Sequence, residues 1–257
     1  MQGCTVLSAA LGGVGLGTVS AALASALFCR GQRVLLIDGD TAAPSADIAF
    51  DFQESALYTF SDVLEGMDPE KAVYTVKEGL YVLPSAVDGE LRGDIPSALK
   101  RLQQAFSLDF ILIIAPFSLL SSFEAVADRV IIVSTPEERA LRASEAAALR
   151  LSSYPCENQY LLLNKTAAYK EALREEPPLL ETVDRVGLSL LGVCPREYWK
   201  AALSPLRKEG QSSLFGKAIR NVADRLTGRR VPLLQGIRLD GFSRRHYIER
   251  AEKRNGL

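Results

Sequence analysis

Residues 8–20 read Ser8-Ala-Ala-Leu-Gly-Gly-Val-Gly-Leu-Gly-Thr-Val-Ser20 and lie between a short apolar run and a helical pattern. Glycines at a strand-to-helix turn allow successive backbone N–H groups to point into one concavity, beside the positive end of the helix dipole. The stretch therefore predicts a phosphate-binding loop. A glycine-rich turn that binds no ligand fits the same residues, and this alternative stays open here.

Short apolar runs alternate with helical patterns along the rest of the chain. The runs are apolar almost throughout, as in strands that are covered on both faces. Predicted strands span residues 5–9, 33–37, 80–83, 110–114, 129–134, 160–164 and 190–194. Predicted helices span residues 18–28, 60–65, 95–105, 138–151, 179–186 and 213–226. This alternation predicts an α/β fold with a mostly parallel sheet and right-handed crossovers.

The composition is that of an ordinary folded protein. The chain has 257 residues, is 47% hydrophobic and 24% charged, and carries a formal net charge of −1. These values exclude a disordered chain and disfavour one that mainly coats nucleic acid. No apolar run reaches the length of about 18 residues that a transmembrane helix needs. Because the first residues lack a basic region, we expect no secretory signal and a cytoplasmic location.

Cysteine and histidine content argues against a metal centre and against a disulfide framework. The cysteines are widely spaced, with no C-x-x-C pair: Cys4, Cys29, Cys156 and Cys194. We expect them to be reduced and mostly buried. The chain has one histidine, His246, near its C-terminal end, so a Ser/His/Asp set is excluded elsewhere.

Six further motifs follow the loop in order. They are VLLIDGD at 34–40, SADIAF at 45–50, LYVLPS at 80–85, ADRVIIVSTPE at 127–137, LLNK at 162–165 and LGVCPRE at 191–197. Over residues 4–232 the set resembles the MinD/ParA family of deviant P-loop ATPases. Its motifs are most similar to those of MinD, and the TadZ/CpaE branch is similar in tolerating degraded loops. The resemblance implies a three-layer α/β/α P-loop NTPase fold with seven to eight strands.

The resemblance also assigns roles to residues of this chain. In the family, the aspartates at positions 38 and 40 help to hold magnesium and to position the attacking water, so it implies a catalytic role for Asp38 and Asp40. Thr18 and Asp38 are the candidates for metal ligands. The nucleotide-binding positions, of which the last two border the adenine, are Gly12, Gly13, Val14, Gly15, Leu16, Gly17, Thr18, Asn164 and Pro195.

Four positions depart from the family pattern. Leu11 and Leu16 stand where the family has its two loop lysines, and Gly17 stands where it has the magnesium-binding hydroxyl. Ile114 replaces the aspartate that ends the Walker-B strand. The first lysine in the chain is Lys71, so no shift of the alignment supplies the missing charge to the loop.

The departures predict a pseudo-ATPase. Each lost charge-assisted hydrogen bond forfeits about 1.5–3 kcal/mol, so nucleotide affinity falls by about a thousandfold or more. Phosphoryl transfer suffers further because it depends on positioning and charge stabilisation. We expect no cofactor, or ATP and Mg²⁺ if nucleotide binding is retained. For Asp38 and Asp40 the alternative to a catalytic role is a capped strand end that binds backbone amides.

Leu11 and Leu16 are apolar, which indicates that the loop is covered, either by another subunit or by the domain's own core. The first alternative predicts a dimer with itself or with an active paralogue. The function we expect is a scaffold or spatial-regulation factor for cell division or for pilus or flagellum positioning. Two alternatives remain. One is a weak ATPase that borrows a lysine from a partner or from later in the chain, and the other is a sensor that binds ATP without hydrolysis.

The sequence divides into a domain at residues 1–232 and a basic tail at residues 233–257. Residues 229–257 carry eight Lys/Arg and three Asp/Glu, which suits an anionic membrane surface or nucleic acid. The first would place the protein at the inner face of the membrane, and a solvated or partner-docking tail is the third alternative. Residues 167–178 read as a surface insertion. Tyr198 and Trp199 follow the adenine-rim turn and serve either core packing or base stacking.

Overall fold

The protein folds around an eight-stranded sheet with helices on both faces, a three-layer α/β/α arrangement. The computed structural model describes residues 3–52, 57–167, 176–177, 179–197 and 206–237. The strands are β1 (Gly3–Ala9), β2 (Val34–Asp38), β3 (Tyr74–Lys77), β4 (Leu80–Leu83), β5 (Phe110–Pro116), β6 (Arg129–Ser134), β7 (Asn158–Thr166) and β8 (Ser189–Pro195). Their order in the sheet is β3-β4-β2-β5-β1-β6-β7-β8.

Nine α-helices lie within the described residues, together with one 3₁₀ helix at Phe117–Phe123. They are α1 (Leu16–Phe28), α2 (Ala46–Phe50), α3 (Phe60–Leu64), α4 (Pro69–Ala72), α5 (Ile95–Phe106), α6 (Glu138–Leu151), α7 (Leu179–Val186), α8 (Lys208–Ser212) and α9 (Leu214–Leu226). Every pairing in the sheet is parallel except that of β3 with β4. The predicted fold class is therefore confirmed.

The central strands are buried over nearly their full length because helices cover both faces of the sheet. Each residue of β2 and β4 is buried, as are the first six residues of β5. Parallel strands place their carboxyl ends at one edge of the sheet, and ligands of such folds bind there. This edge, formed by the ends of β1, β2, β4, β5 and β7, carries the glycine-rich loop.

Strand β3 is absent from the predicted strands. Its residues YTVK alternate between half-buried and exposed positions. The predicted strands, in contrast, were all runs that are apolar almost throughout. An antiparallel strand at the end of a sheet needs only one covered face, so its sequence alternates. The short helices α2, α4 and α8 were also not predicted. Residues 168–175 and 178 of the predicted insertion lie outside the described residues.

The last described segment packs against α9. Leu233, Leu234 and Ile237 are buried, and the Asn221 side chain of α9 donates to the carbonyl oxygens of Leu233 and Gln235. Helix α9 in turn contacts α1. Residues 238–257, which hold most of the predicted basic tail, lie outside the described part of the chain.

Candidate functional site

The glycine-rich loop connects β1 to α1 at the carboxyl edge of the sheet. Gly13 and Gly15 have φ values of 79° and 90°, a region that glycine enters without steric cost. The first helical hydrogen bond runs from Val19 N–H to the Gly15 carbonyl oxygen. Within the described residues the N–H groups of Leu16 and Gly17 therefore have no acceptor. These N–H groups and the helix dipole give the loop the backbone geometry of an anion-binding nest.

Strand β7 holds this loop from the side. The Asn164 side-chain amide donates to the Val14 carbonyl oxygen at 2.9 Å, and Lys165 Nζ donates to the Gly13 carbonyl oxygen at 2.5 Å. Lys165 adopts a positive φ of 56°. A Cβ at Gly15 would lie 2.6 Å from Asn164 Nδ2, so this contact requires glycine there.

Lys165 belongs to the LLNK motif, but the sequence assigns it no role at the loop. It brings a cation to a loop whose own sequence has none, because the carboxyl end of β7 lies at the same edge as that of β1. A signal was present in the sequence, because an Asn-Lys pair at positions 164–165 stands at the end of the strand predicted over residues 160–164. Periodicity cannot show which loop such a pair reaches.

Asp38 ends β2 and is fully buried. Its Oδ1 accepts from Asp40 N–H at 3.0 Å, and its Oδ2 accepts from Ser45 N–H at 2.8 Å and Ala46 N–H at 2.9 Å. Burial raises the pKa of the Asp38 carboxyl above its ordinary value, while these three hydrogen bonds act in the opposite direction. The carboxylate thus caps the first residues of α2.

Asp40 stabilises the turn that follows β2. Its Oδ1 accepts from Ala42 N–H at 3.1 Å and from Ala43 N–H at 3.0 Å. Both aspartates therefore bind backbone amides of residues 40–46. This is the arrangement of a capped strand end.

Gly17 lies in the first turn of α1 and faces the start of α2. A Cβ built on Gly17 would overlap the Ser45 hydroxyl and would lie 2.7 Å from the Ser45 Cβ. The space beside residue 17 is therefore filled by the side chain of Ser45. Thr18, the next residue, is half-buried.

The remaining predicted positions either pack against the hydrophobic core or lie within strands of the sheet. Leu11 and Leu16 are half-buried and pack against the hydrophobic core. Ile114 is 1% exposed and stands in register between Leu7 of β1 and Asp38 of β2. Pro195 ends β8 in register with Thr166 of β7, one strand further from the loop. Tyr198 and Trp199 lie outside the described residues.

Four exposed apolar side chains lie on segments that follow the carboxyl ends of β2 and β4, and together they are here called the edge patch. Its members are Ile48, Leu57, Tyr58 and Val87, which are 50%, 81%, 38% and 74% exposed. Ile48 belongs to α2, whose first residues bind Asp38, and Val87 precedes Asp88, whose N–H donates to the Thr41 carbonyl oxygen. Such a patch on a folded domain is typical of an interaction surface.

The other half of the edge patch is joined to α2 through two aromatic rings. Leu57 N–H donates to the Tyr74 hydroxyl at 2.6 Å. The Tyr74 ring stacks on Phe52 with centroids 4.9 Å apart, and Phe52 N–H bonds the Asp47 carbonyl oxygen of α2. The patch is therefore attached to the segment that follows β2.

Comparison with known proteins identifies the family. The model of the AAA domain family matches residues 4–150, which is more than half of the chain. The chain belongs to the MinD/ParA-type P-loop ATPases. It is 29% identical over 249 residues to the septum site-determining protein MinD of Synechocystis, a match that covers 91% of this chain and 92% of that protein.

Solved MinD structures share the fold. The MinC:MinD cell division protein complex of Aquifex aeolicus matches with a TM-score of 0.76 and 26% identity, over 90% of this chain and 98% of that one. MinD of Pyrococcus horikoshii, complexed with Mg-ADP, matches with a TM-score of 0.69 and 26% identity, over 88% and 96%.

The residues at this edge do not fit the magnesium–nucleotide complex that the family pattern implies. Three backbone N–H groups occupy the oxygens of Asp38, and Ser45 fills the space beside Gly17. No described group of three or more His, Cys, Asp or Glu side chains could hold a metal. What remains is the backbone nest, Lys165, the Thr18 hydroxyl and Asp40, whose Oδ1 accepts from Ala42 and Ala43 N–H.

No helix in the described part of the chain combines the length and the apolar character that crossing a bilayer requires.

Proposed function

We propose that this protein is a MinD/ParA-type scaffold that works without nucleotide hydrolysis and positions other machinery by docking to protein partners. The observation that carries the proposal is the bonding of Asp38. Both of its oxygens accept hydrogen bonds from the backbone of residues 40–46, so its carboxylate acts as a structural cap. With Leu11, Leu16 and Ile114 at three of the family's charged positions, the loop and the end of β5 lack the charges that the family pattern uses for phosphoryl transfer.

The edge patch supports docking as the activity that replaces hydrolysis. Leu57 and Val87 expose about three quarters or more of their surfaces. Burying large apolar side chains of this kind against a partner is favourable. The partner is a second copy of this chain or an active member of the family. Relatives named septum site-determining proteins favour cell division as the process, and pilus or flagellum positioning is the alternative.

Sedimentation with and without ATP and Mg²⁺ tests the proposal. We expect the same dimer in both conditions, or the same complex with an active paralogue. Leu57→Asp and Val87→Asp should each weaken the association by about tenfold or more. Leu149→Asp is the matched control, because Leu149 is 76% exposed on α6 and lies outside the edge patch. A chain that associates only with ATP contradicts the proposal.

A second candidate function is favoured by Lys165. Its ammonium group, together with the N–H groups of Leu16 and Gly17, offers a phosphate-binding set that needs no metal. The protein would then be a sensor that binds ATP without cleaving it. Calorimetry with ATP separates the candidates, since heat that disappears in Lys165→Met favours the sensor and no heat favours the scaffold. Phosphate release that is abolished by Asp40→Ala would instead reveal an ATPase.

A further inference from the structure

Gly17 and Ser45 occupy a shared space between α1 and α2. A side chain at position 17 cannot be accommodated by rotating the Ser45 hydroxyl away, because the Ser45 Cβ itself would lie 2.7 Å from the new Cβ. That distance is shorter than any normal carbon–carbon contact. The Cβ of Ser45 moves only with its backbone, so residue 17 must be glycine while Ser45 stays in place.

The backbone of Ser45 is itself held on both sides. Its N–H donates to Asp38 Oδ2 at 2.8 Å, and its carbonyl oxygen accepts from Ala49 N–H at 3.0 Å. The neighbouring Ala46 is fully buried and also donates to Asp38. A shift of Ser45 away from α1 would therefore break hydrogen bonds to a buried carboxylate.

We propose that Ser45 takes the place of the hydroxyl side chain that the family carries at position 17 and thereby locks residues 39–50 onto the loop. The hydroxyl has moved from the loop to the segment that faces it. Because this segment ends in α2, the lock holds Ile48 and the attached edge patch in one conformation, with or without nucleotide. The inference deepens the proposed function, on which it rests, by giving the reason why docking needs no ATP.

If Ser45 locks the segment, the conformational equilibrium of residues 39–50 does not respond to nucleotide, and this can be measured directly. A ligand shifts a conformational equilibrium only if it binds the two states with different affinity. If residues 39–50 have one conformation, the N–H groups of Ser45 and Ala46 exchange with solvent at the same slow rate in buffer and in ATP with Mg²⁺. A change of about tenfold or more on adding ATP overturns the lock.

Substitution at position 17 tests whether the contact between Gly17 and Ser45 holds residues 39–50 in one conformation. Gly17→Ala should accelerate exchange at Ser45 and Ala46 by about tenfold or more, because its Cβ displaces the segment. Gly12→Ala is the matched control, since a Cβ there meets nothing within 4 Å, and it should leave both rates unchanged. Equal rates in the two variants overturn the proposal. Global unfolding measured on the same samples separates local opening from loss of the fold.

The exchanged pair Gly17→Ser/Ser45→Gly provides the sharpest outcome. Moving the hydroxyl back to α1 removes the overlap. The exchange rate of Ala46 N–H should then return to within about threefold of its rate in the parent chain. In Gly17→Ser alone, this rate should stay high. If Ala46 exchanges as fast in the double variant as in Gly17→Ser alone, the proposal that residues 17 and 45 share one space is overturned. Hydrogen exchange reads the conformation and sedimentation reads association, so a locked segment without association would refute the proposed function and leave the lock standing.

Discussion

The Asn164 side-chain amide donates a 2.9 Å hydrogen bond to the Val14 carbonyl oxygen, across 150 residues of sequence. Asn164 is 5% exposed, so neither group has water as a ready substitute. The bond fixes the loop between β1 and α1 to the carboxyl end of β7. It acts on a carbonyl of the loop backbone and therefore does not use the N–H groups of Leu16 and Gly17 at the start of α1.

Asn164→Ala should lower the free energy of unfolding by about 1–3 kcal/mol, because a buried carbonyl loses its donor. The control is Asn158→Ala on the same strand, whose exposed side chain donates to the Asp128 carbonyl oxygen at 3.2 Å. We expect a loss below about 0.5 kcal/mol there, as is usual for exposed sites. Urea unfolding followed by circular dichroism measures both. Equal losses of unfolding free energy in Asn164→Ala and Asn158→Ala would show that the buried bond to Val14 stabilises the fold no more than the exposed bond does.

Gly15→Ala should destabilise the fold by about 2 kcal/mol or more, because it combines backbone strain at a φ of 90° with a clash against Asn164. Gly31→Ala isolates the strain. Gly31 has a φ of 80° and open space around its Cβ position, so we expect about 1 kcal/mol from the same measurement. A larger loss at Gly31 than at Gly15 would contradict the clash.

Asp224 of α9 and Arg30, in the turn that follows α1, form a bidentate ion pair with both bonds at 2.7 Å. The Arg30 guanidinium lowers the pKa of Asp224 below its ordinary value of 3.8. A lowered pKa stabilises the fold above the unfolded-state pKa, and this contribution disappears as the pH falls through the folded-state pKa. We expect Asp224→Asn to cost about 1–3 kcal/mol at pH 7 and progressively less below pH 4.

Chemical unfolding at a series of pH values tests the role of Asp224. Glu90→Gln serves as the control, because Glu90 and its partner Arg92 are 69% and 79% exposed in their side chains, and it should leave the midpoint unchanged. A cost of Asp224→Asn that stays constant down to pH 2 would show that the charge of Asp224 is irrelevant.

Leu16→Lys restores one family charge to the loop. The new ammonium group adds one charge-assisted hydrogen bond, so ATP affinity should rise by about tenfold or more in calorimetry. Phosphate release should stay at background, because Ile114 still replaces the Walker-B aspartate and Leu11 still replaces the second loop lysine. Turnover in Leu16→Lys would show that a single cation suffices, and the absence of any gain in affinity would argue against a phosphate nest.

The buried strands were predictable to within a few residues. The run at 110–114 and strand β5 (Phe110–Pro116) agree because a strand covered on both faces must be apolar at every position. Strand β3 was not predictable by that criterion, since one of its faces is open and its residues alternate. The loop and both aspartates were found through local motifs, whereas the bonds that each of them makes could not be read from neighbouring residues.

The sequence by itself determined the order of the seven parallel strands and of the longer helices, and the absence of cations within the loop, because these depend on residues close together in the chain. Only the tertiary structure decided that Lys165 and Asn164 reach the loop and that Ser45 fills the space beside Gly17. The sheet brings the carboxyl ends of β1, β2 and β7 to one edge, and contacts across it arise from packing of segments that lie far apart in sequence.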